Sequence, residues 1–130
     1  MTIEERAAYA VQLRKEHKCN CCQSVIVALA DQTSIDPQQL WSVGSGFGGG
    51  MGNMESTCGA LCGAAMVAGA VIADRAATVK TRAIQEAFVS ACGALYCKDL
   101  KGRDTGVVLC PCEQCVYNAV IAYGRVMGLK

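Results

Sequence analysis

The residues with the most chemical capacity in this chain are its cysteines, which number ten in 130 residues. They fall into four groups along the sequence: Cys19, Cys21 and Cys22; Cys58 and Cys62; Cys92 and Cys97; and Cys110, Cys112 and Cys115. Cysteine thiolates bind soft metal ions, ligate iron–sulfur clusters and exchange disulfides. Because ten independent packing cysteines would be an unusual coincidence in a small domain, we expect the groups to converge.

Spacing separates the cysteines into stronger and weaker candidates. The C-terminal group, Cys110-Pro-Cys112-Glu-Gln-Cys115, contains CxxC spacing, which brings two sulfurs to one metal or one redox bond. Cys58 is predicted to stand at a helix start, where free amide groups favour a thiolate, and Cys62 follows on the same helix face. Cys62 and Cys92 lie in alanine-rich stretches, where a cysteine is equally well interpreted as a small buried hydrophobe.

A glycine-rich segment separates the first and second cysteine groups, with six glycines between Gly44 and Gly52. It lacks the Lys-Ser/Thr ending of a P-loop. We interpret it as a loop whose backbone amides at Gly48, Gly49 and Gly50 pack against an inorganic group and its sulfurs. The alternative is a turn that simply requires positive φ angles. No Ser/His/Asp triad for hydrolysis can be assembled around the single histidine, His17.

Hydrophobic periodicity predicts an all-α protein: a compact bundle of four to six helices, with the glycine-rich loop between the third and fourth. No alternating β pattern and no linker appears, so residues 1–130 form one domain. The helices are expected from Thr2 to Lys18, from Cys21 to Asp31, from Asp36-Pro37 through Trp41, from Cys58 to Ala73 with Ser56 or Thr57 as its cap, from Thr78 to Leu100, and from Pro111 to Gly128.

Charge and hydropathy limit the partners and the cellular compartment that we expect for this protein. The formal net charge is +1, with acidic and basic residues interspersed, which argues against a nucleic-acid partner or a membrane-surface role. The N-terminus lacks the pattern of a secretory signal, and the longest weakly polar stretch is too short to span a bilayer. We therefore expect a cytoplasmic protein, in which abundant cysteine indicates metal, cluster or redox chemistry rather than structural disulfides.

Three motifs carry a resemblance to a known family: Asn20-Cys-Cys-Gln-Ser24, Ser45-Gly-Phe-Gly-Gly-Gly-Met-Gly52 and Thr57-Cys-Gly-Ala-Leu-Cys-Gly-Ala-Ala-Met66. With Cys97-Lys-Asp-Leu100 and Cys112-Glu-Gln-Cys-Val116, they closely resemble the C_GCAxxG_C_C family of redox-active proteins. The resemblance covers nearly the whole chain past residue 18. The family's four shared cysteines map onto Cys21, Cys58, Cys97 and Cys112, and the other six are additional.

The resemblance implies redox activity or cluster binding. A related module in split-Soret cytochromes accompanies haem and an iron–sulfur centre, but this chain has no CxxCH, so covalent haem is not expected. We therefore expect an iron–sulfur protein that transfers electrons to an unknown redox partner protein. The four shared cysteines are its leading ligands, with three auxiliary ones: Cys115, Cys62 and Cys110.

Two other functions remain open at this point. One is a thiol–disulfide or sulfur-transfer enzyme that uses Cys58 or Cys112, and whether any reaction is catalysed is left open. The other is a structural zinc module, for which only the C-terminal group has suitable spacing. The small residues of the helices also suit a homodimer interface.

Overall fold

A computed structural model describes residues 1–130 and contains seven helices and no strand. The all-α class is confirmed, although the number of helices exceeds the four to six expected. The helices are α1 (Ile3–Lys15), α2 (Cys21–Leu29), α3 (Pro37–Gly44), α4 (Gly59–Ile72), α5 (Ala76–Cys92), α6 (Cys97–Lys101) and α7 (Cys112–Met127). Short 3-10 turns cover Ala30–Gln32 and Ser45–Phe47, and a single kinked turn covers Gly48–Met51.

The extra helix arises where one long helix was predicted from Thr78 to Leu100. The chain instead leaves α5 at Gly93, whose φ of 95° lies in the left-handed region that ends helices. A short connection follows, and α6 begins at Cys97. Cys97, predicted to lie inside a helix, is therefore the first residue of a new one.

The core lies between α2 and the helices packed around it, α1, α4 and α7, with α5 against α4 and α7. Its largest fully buried side chains include Ile26, Phe88 and Tyr123. Helix α4 approaches α2 closely, because a Cβ on Gly63 would lie 2.7 Å from the carbonyl oxygen of Cys22. The small residues of α4 therefore permit the close backbone approach that their sequence predicts.

Side-chain caps begin three of the helices, whereas α4 begins without one. Thr2 and Asn20 form capping boxes at α1 and α2, and Asp36 caps α3 ahead of Pro37. The predicted cap of α4 by Ser56 or Thr57 is wrong, because Cys58 itself occupies the N-cap position and its side chain makes no capping bond.

The glycine-rich segment is a compact set of turns rather than an open loop. Gly49 and Gly50 have φ angles of 60° and 59°, so the requirement for positive φ is confirmed at these two positions. The longest helix, α5, has 17 residues. None of the helices combines the length and the apolar character needed to cross a bilayer.

Candidate metal centre

Four cysteines share one structural position, the beginning of a helix. Cys21, Cys97 and Cys112 are the first residues of α2, α6 and α7, and Cys58 is the N-cap of α4. Amide groups without intrahelical partners and the positive end of the helix dipole lie at such positions, and both stabilise a thiolate. These are the four cysteines that the family resemblance singled out.

Backbone pairing holds Cys58 and Cys97 side by side. The amide of Cys58 donates to the carbonyl of Leu95 at 3.0 Å, and the amide of Cys97 donates to the carbonyl of Ser56 at 3.0 Å. Between them, Thr57 and Tyr96 form an antiparallel bridge. The starts of α4 and α6 are therefore fixed to each other by main-chain hydrogen bonds.

Cys21 and Cys112 form a second pair. The pKa of Cys112 is lowered because the neighbouring Cys21 thiol can donate a hydrogen bond to its thiolate and because Lys101 and Arg14 place positive charge nearby. The pKa of Cys21 is raised by the same interaction and by burial. The two thiols therefore interact directly, and the thiolate is favoured on Cys112 over Cys21. The charge of Cys58 also acts on both Cys21 and Cys97, so the two pairs lie within electrostatic range of each other.

Two cations flank the sulfurs. The Nε of Arg14, in the last turn of α1, donates to Cys21 Sγ at 3.4 Å. The Nζ of Lys101 donates to Cys115 Sγ at 3.2 Å and to the carbonyl of Cys110 at 3.0 Å. Burial by itself lowers the pKa of Lys101, but the thiolates of Cys115 and Cys112 raise it above its usual value, so the ammonium stays charged.

Three further cysteines form a compact group next to these four. Cys92, Cys110 and Cys115 are all buried, and their sulfurs lie within 4.8 Å of one another. Cys115 adjoins the first group, since interaction with Cys115, together with burial, raises the pKa of Cys58. The auxiliary candidates Cys110 and Cys115 are thus brought together, whereas Cys92 was expected to be as much a packing residue as a ligand.

The remaining cysteines lie outside both groups. Cys62 stands one turn beyond Cys58, with its sulfur 3.9 Å from the carbonyl of Thr57, and its role as an auxiliary ligand stays a prediction. The sulfur of Cys22 lies 3.9 Å from Met66 Sδ, and burial raises the pKa of this thiol to about 12. Cys19 is also buried, and burial raises its pKa.

The glycine-rich segment packs against two of the cysteine-bearing helix starts. A Cβ on Gly48 would lie 2.8 Å from the Cβ of Asn20, and one on Gly50 would lie 2.6 Å from the Cβ of Cys97. Gly49 faces open space. The segment therefore positions ligand candidates, and direct cofactor binding by Gly48, Gly49 and Gly50 stays a prediction.

Sequence reasoning missed the residues that support the sulfurs, namely Arg14, Lys101 and Asn118. The Nδ2 of Asn118 donates to Cys92 Sγ at 3.3 Å. Arg14 and Lys101 look like ordinary basic residues in the last turns of their helices, where they complement the dipole. The one available signal is that Lys101 and Asn118 each lie close in sequence to a cysteine group.

The comparison with protein families agrees with this arrangement. The family model described as "Putative redox-active protein (C_GCAxxG_C_C)" matches residues 19–125, a span that contains all ten cysteines. No curated protein and no solved structure matches the chain. Because the family match covers most of its length and includes the four helix-start cysteines, the chain belongs to the C_GCAxxG_C_C family.

Proposed function

We propose that the protein is a cytoplasmic iron–sulfur protein that accepts and donates electrons, with Cys21, Cys58, Cys97 and Cys112 as its cluster ligands. The observation that carries this proposal is that each of the four cysteines stands at a helix start. Main-chain bonds hold Cys58 beside Cys97, and Cys21 interacts with both Cys112 and Cys58. No other set of side chains in the chain offers four thiols in equivalent positions.

The donor set fits such a group. Both common cluster types are held by four cysteine thiolates, and a four-thiolate cluster is an anion. Arg14 and Lys101, which contact Cys21 and Cys115, offset that charge. A bound cluster supplies one-electron chemistry. The protein's part is to bind it, offset its charge and exclude water.

Burial indicates where electrons would pass. Cys21, Cys58 and Cys97 are buried, whereas Cys112 is half-buried. Cys112 is therefore the ligand nearest to solvent, and a partner protein would approach at the start of α7. The start of α7 is therefore where electrons would travel the shortest distance between a partner and the proposed centre.

Metal analysis of anaerobically purified protein tests the proposal. We expect a brown protein with iron and acid-labile sulfide in equal amounts, and loss of both in each of four variants: Cys21→Ser, Cys58→Ser, Cys97→Ser and Cys112→Ser. Cys19→Ser, which removes a buried cysteine outside both groups, is the matched control and should retain the cluster. Colourless, iron-free protein after anaerobic reconstitution would contradict the proposal.

A second candidate is thiol–disulfide exchange, favoured by the Cys21–Cys112 pair. In this reaction the Cys112 thiolate attacks a substrate disulfide, and Cys21 then displaces the bound thiol. The pair becomes a disulfide while the substrate is reduced to two thiols. We expect Cys112 to alkylate far faster than the other cysteines at neutral pH in metal-free protein. Uniformly slow alkylation would exclude this candidate.

A further inference from the structure

The group of Cys92, Cys110 and Cys115 combines three chain segments at one buried point. Cys92 ends α5, Cys110 precedes α7, and Cys115 lies in the first turn of α7. Their exposed fractions are 4%, 2% and 0%. None of the three belongs to the four helix-start cysteines, and the ligand atoms all lie within 4.8 Å of one another.

The distances between the three sulfurs suit ligands of one metal ion rather than ligands of an iron–sulfur cluster. Three sulfurs, each about 2.3 Å from a central ion, lie about 4 Å from one another. An iron–sulfur cluster, by contrast, places at most two cysteine sulfurs on one iron, so three of its ligands do not all lie this close to one another. A contraction of less than 1 Å converts the observed group into a three-thiolate site, given the limit of 4.8 Å.

Two polar side chains donate hydrogen bonds to sulfurs of the group. Asn118 Nδ2 donates to Cys92 Sγ at 3.3 Å, and Lys101 Nζ donates to Cys115 Sγ at 3.2 Å. Lys101 also donates to the carbonyl of Cys110, which ties the ammonium to two of the three residues. Such outer hydrogen bonds orient metal ligands and keep them deprotonated.

We propose that Cys92, Cys110 and Cys115 bind a single soft, thiophilic d10 cation at a site that lies beside the four helix-start cysteines and shares no ligand with them. Soft thiolate ligands select ions such as Cu(I) and Zn(II). Lys101 offsets part of the negative charge that three thiolates bring to a buried site, and binding releases the thiol protons. The site stands independently of the iron–sulfur proposal.

The test uses the full chain, reduced and metal-free, in a Cys21→Ser/Cys97→Ser background that disables the four-cysteine site. Cu(I) and Zn(II) are titrated in separate arms against chromophoric chelators. We expect one equivalent of at least one of the two ions to bind. Adding Cys92→Ser/Cys110→Ser should weaken this binding more than about 100-fold. Loss of a residue that only hydrogen-bonds to a metal ligand already costs about 10–100-fold in metal affinity, and these changes remove two ligands themselves.

The matched control adds Cys19→Ser/Cys62→Ser to the same background, which removes two cysteines outside the group and should retain the ion. Equal binding with and without Cys92 and Cys110 would overturn the proposal, as would binding of neither ion. Circular dichroism verifies folding. If the four-serine variant does not fold, Cys92→Ala in the same background takes its place, and unchanged affinity there overturns the proposal.

A separate readout distinguishes this site from the proposed cluster. In otherwise unchanged protein, Cys92→Ser/Cys110→Ser should contain the same iron and sulfide as the parent. If the parent takes up no cluster but the background variant still binds its ion through the three cysteines, the iron–sulfur proposal fails and this one stands.

Discussion

Gly49 and Gly50 have almost the same backbone conformation but different surroundings. Either one changed to alanine places a Cβ at a left-handed φ, which costs about 1–2 kcal/mol. At Gly50 the new Cβ also meets Cys97 and the carbonyl of Ser56, whereas at Gly49 it meets nothing. We expect Gly50→Ala to lower the free energy of unfolding by a further 1–3 kcal/mol or so, as in overpacked cores.

Urea unfolding of both variants measures this difference, with Gly49→Ala as the control for backbone strain. We also expect Gly50→Ala to reduce iron uptake, because the change displaces Cys97. Equal stability of the two variants would show that the approach of Gly50 to Cys97 has no energetic weight.

Lys101 offers a test of the electrostatics of the proposed centre. Its ammonium lies beside Cys115 and within the range of the charges of Cys112 and Cys58. A reduced cluster carries one more negative charge than an oxidised one, so a nearby cation favours reduction. We expect Lys101→Met to lower the midpoint potential by tens of millivolts or so.

The control is Lys98→Met, which removes a lysine of the same helix whose partner is Glu55 at the surface. Redox titration of the loaded proteins compares the two variants. A potential that moves equally in both, or moves upward in Lys101→Met, is incompatible with the assigned role of Lys101.

At the level of single residues, the sequence selects four candidate cysteines but does not reveal the residues that surround them. The motifs around Cys21 and Cys58 are local and specific, so four ligand candidates could be found without coordinates. Cys92 could not be assigned, because its neighbours Asn118 and Cys115 come from α7 and meet it only through tertiary packing. Spacing carries no information on such distant partners.

Asn20 connects a helix start to the glycine-rich segment. Its side chain accepts from the amide of Gln23 at 2.8 Å, and its Nδ2 donates to the carbonyls of Gly44 and Ser45 at 3.3 and 3.2 Å. An N-cap is worth about 1 kcal/mol. Because Asn20→Ala loses both the cap and the bonds to the segment, we expect it to destabilise by about 2 kcal/mol.

Thr2→Ala is the comparison, since Thr2 caps α1 with the same capping-box geometry but makes no bond to a distant segment. We expect a loss of about 1 kcal/mol there, measured by urea unfolding. A loss as large in Thr2→Ala as in Asn20→Ala would remove the contribution assigned to the bonds with Gly44 and Ser45.

An ion pair ties α1 to the turn that follows α2. Arg6 donates to Asp31 through two nitrogens and to the carbonyl of Ala28 at 3.2 Å, and its hydrogen bond lowers the pKa of Asp31. A lowered pKa gives stability that is present above the unfolded value and is lost as the pH falls through the folded value.

We therefore expect Asp31→Asn to destabilise the protein at neutral pH by about 0.5–1 kcal/mol, a small value because the carboxylate is largely exposed. The difference from the parent should shrink below about pH 4 and vanish when the carboxylate is protonated. Urea unfolding at neutral and acidic pH checks this. A difference that persists unchanged at low pH would exclude the ion pair as its source.

At the scale of helices, the sequence predicted the elements well where local signals are strong. The start of α3 at Asp36-Pro37 and the end of α7 at Gly128 agree with the structure. The break at Gly93 was missed, because apolar residues continue past it with helical spacing. The start of α4 near Cys58 was predicted correctly but its capping residue was not, since pairing of the preceding segment with residues 95–98 depends on a partner far along the chain.

The molecule as a whole has an apolar core that does not depend on metal. Ile26, Leu29, Phe88, Val116 and Tyr123 are fully buried and lie on helices from both ends of the chain. A chain of this length can bury enough apolar surface to fold by itself. We therefore expect reduced, metal-free protein to keep its helical circular dichroism and to unfold cooperatively, and the loaded protein to unfold at a higher temperature.

Thermal unfolding followed by circular dichroism, with and without metal, measures both states of the same preparation. A metal-free protein that has lost its helical signal would show that the core alone is insufficient. Equal unfolding temperatures would show that any bound metal does not cross-link the helices.

The placement of one cysteine at each of four helix starts has a consequence for biosynthesis. Residues 21 and 112 are separated by most of the chain, and Cys112 begins the last helix. A ribosome that has translated α1 to α6 has made three of the four thiols but not the one that pairs with Cys21. A cofactor held by all four can therefore be fully bound only after Cys112 has been translated, when the residues of α1 to α6 are already made.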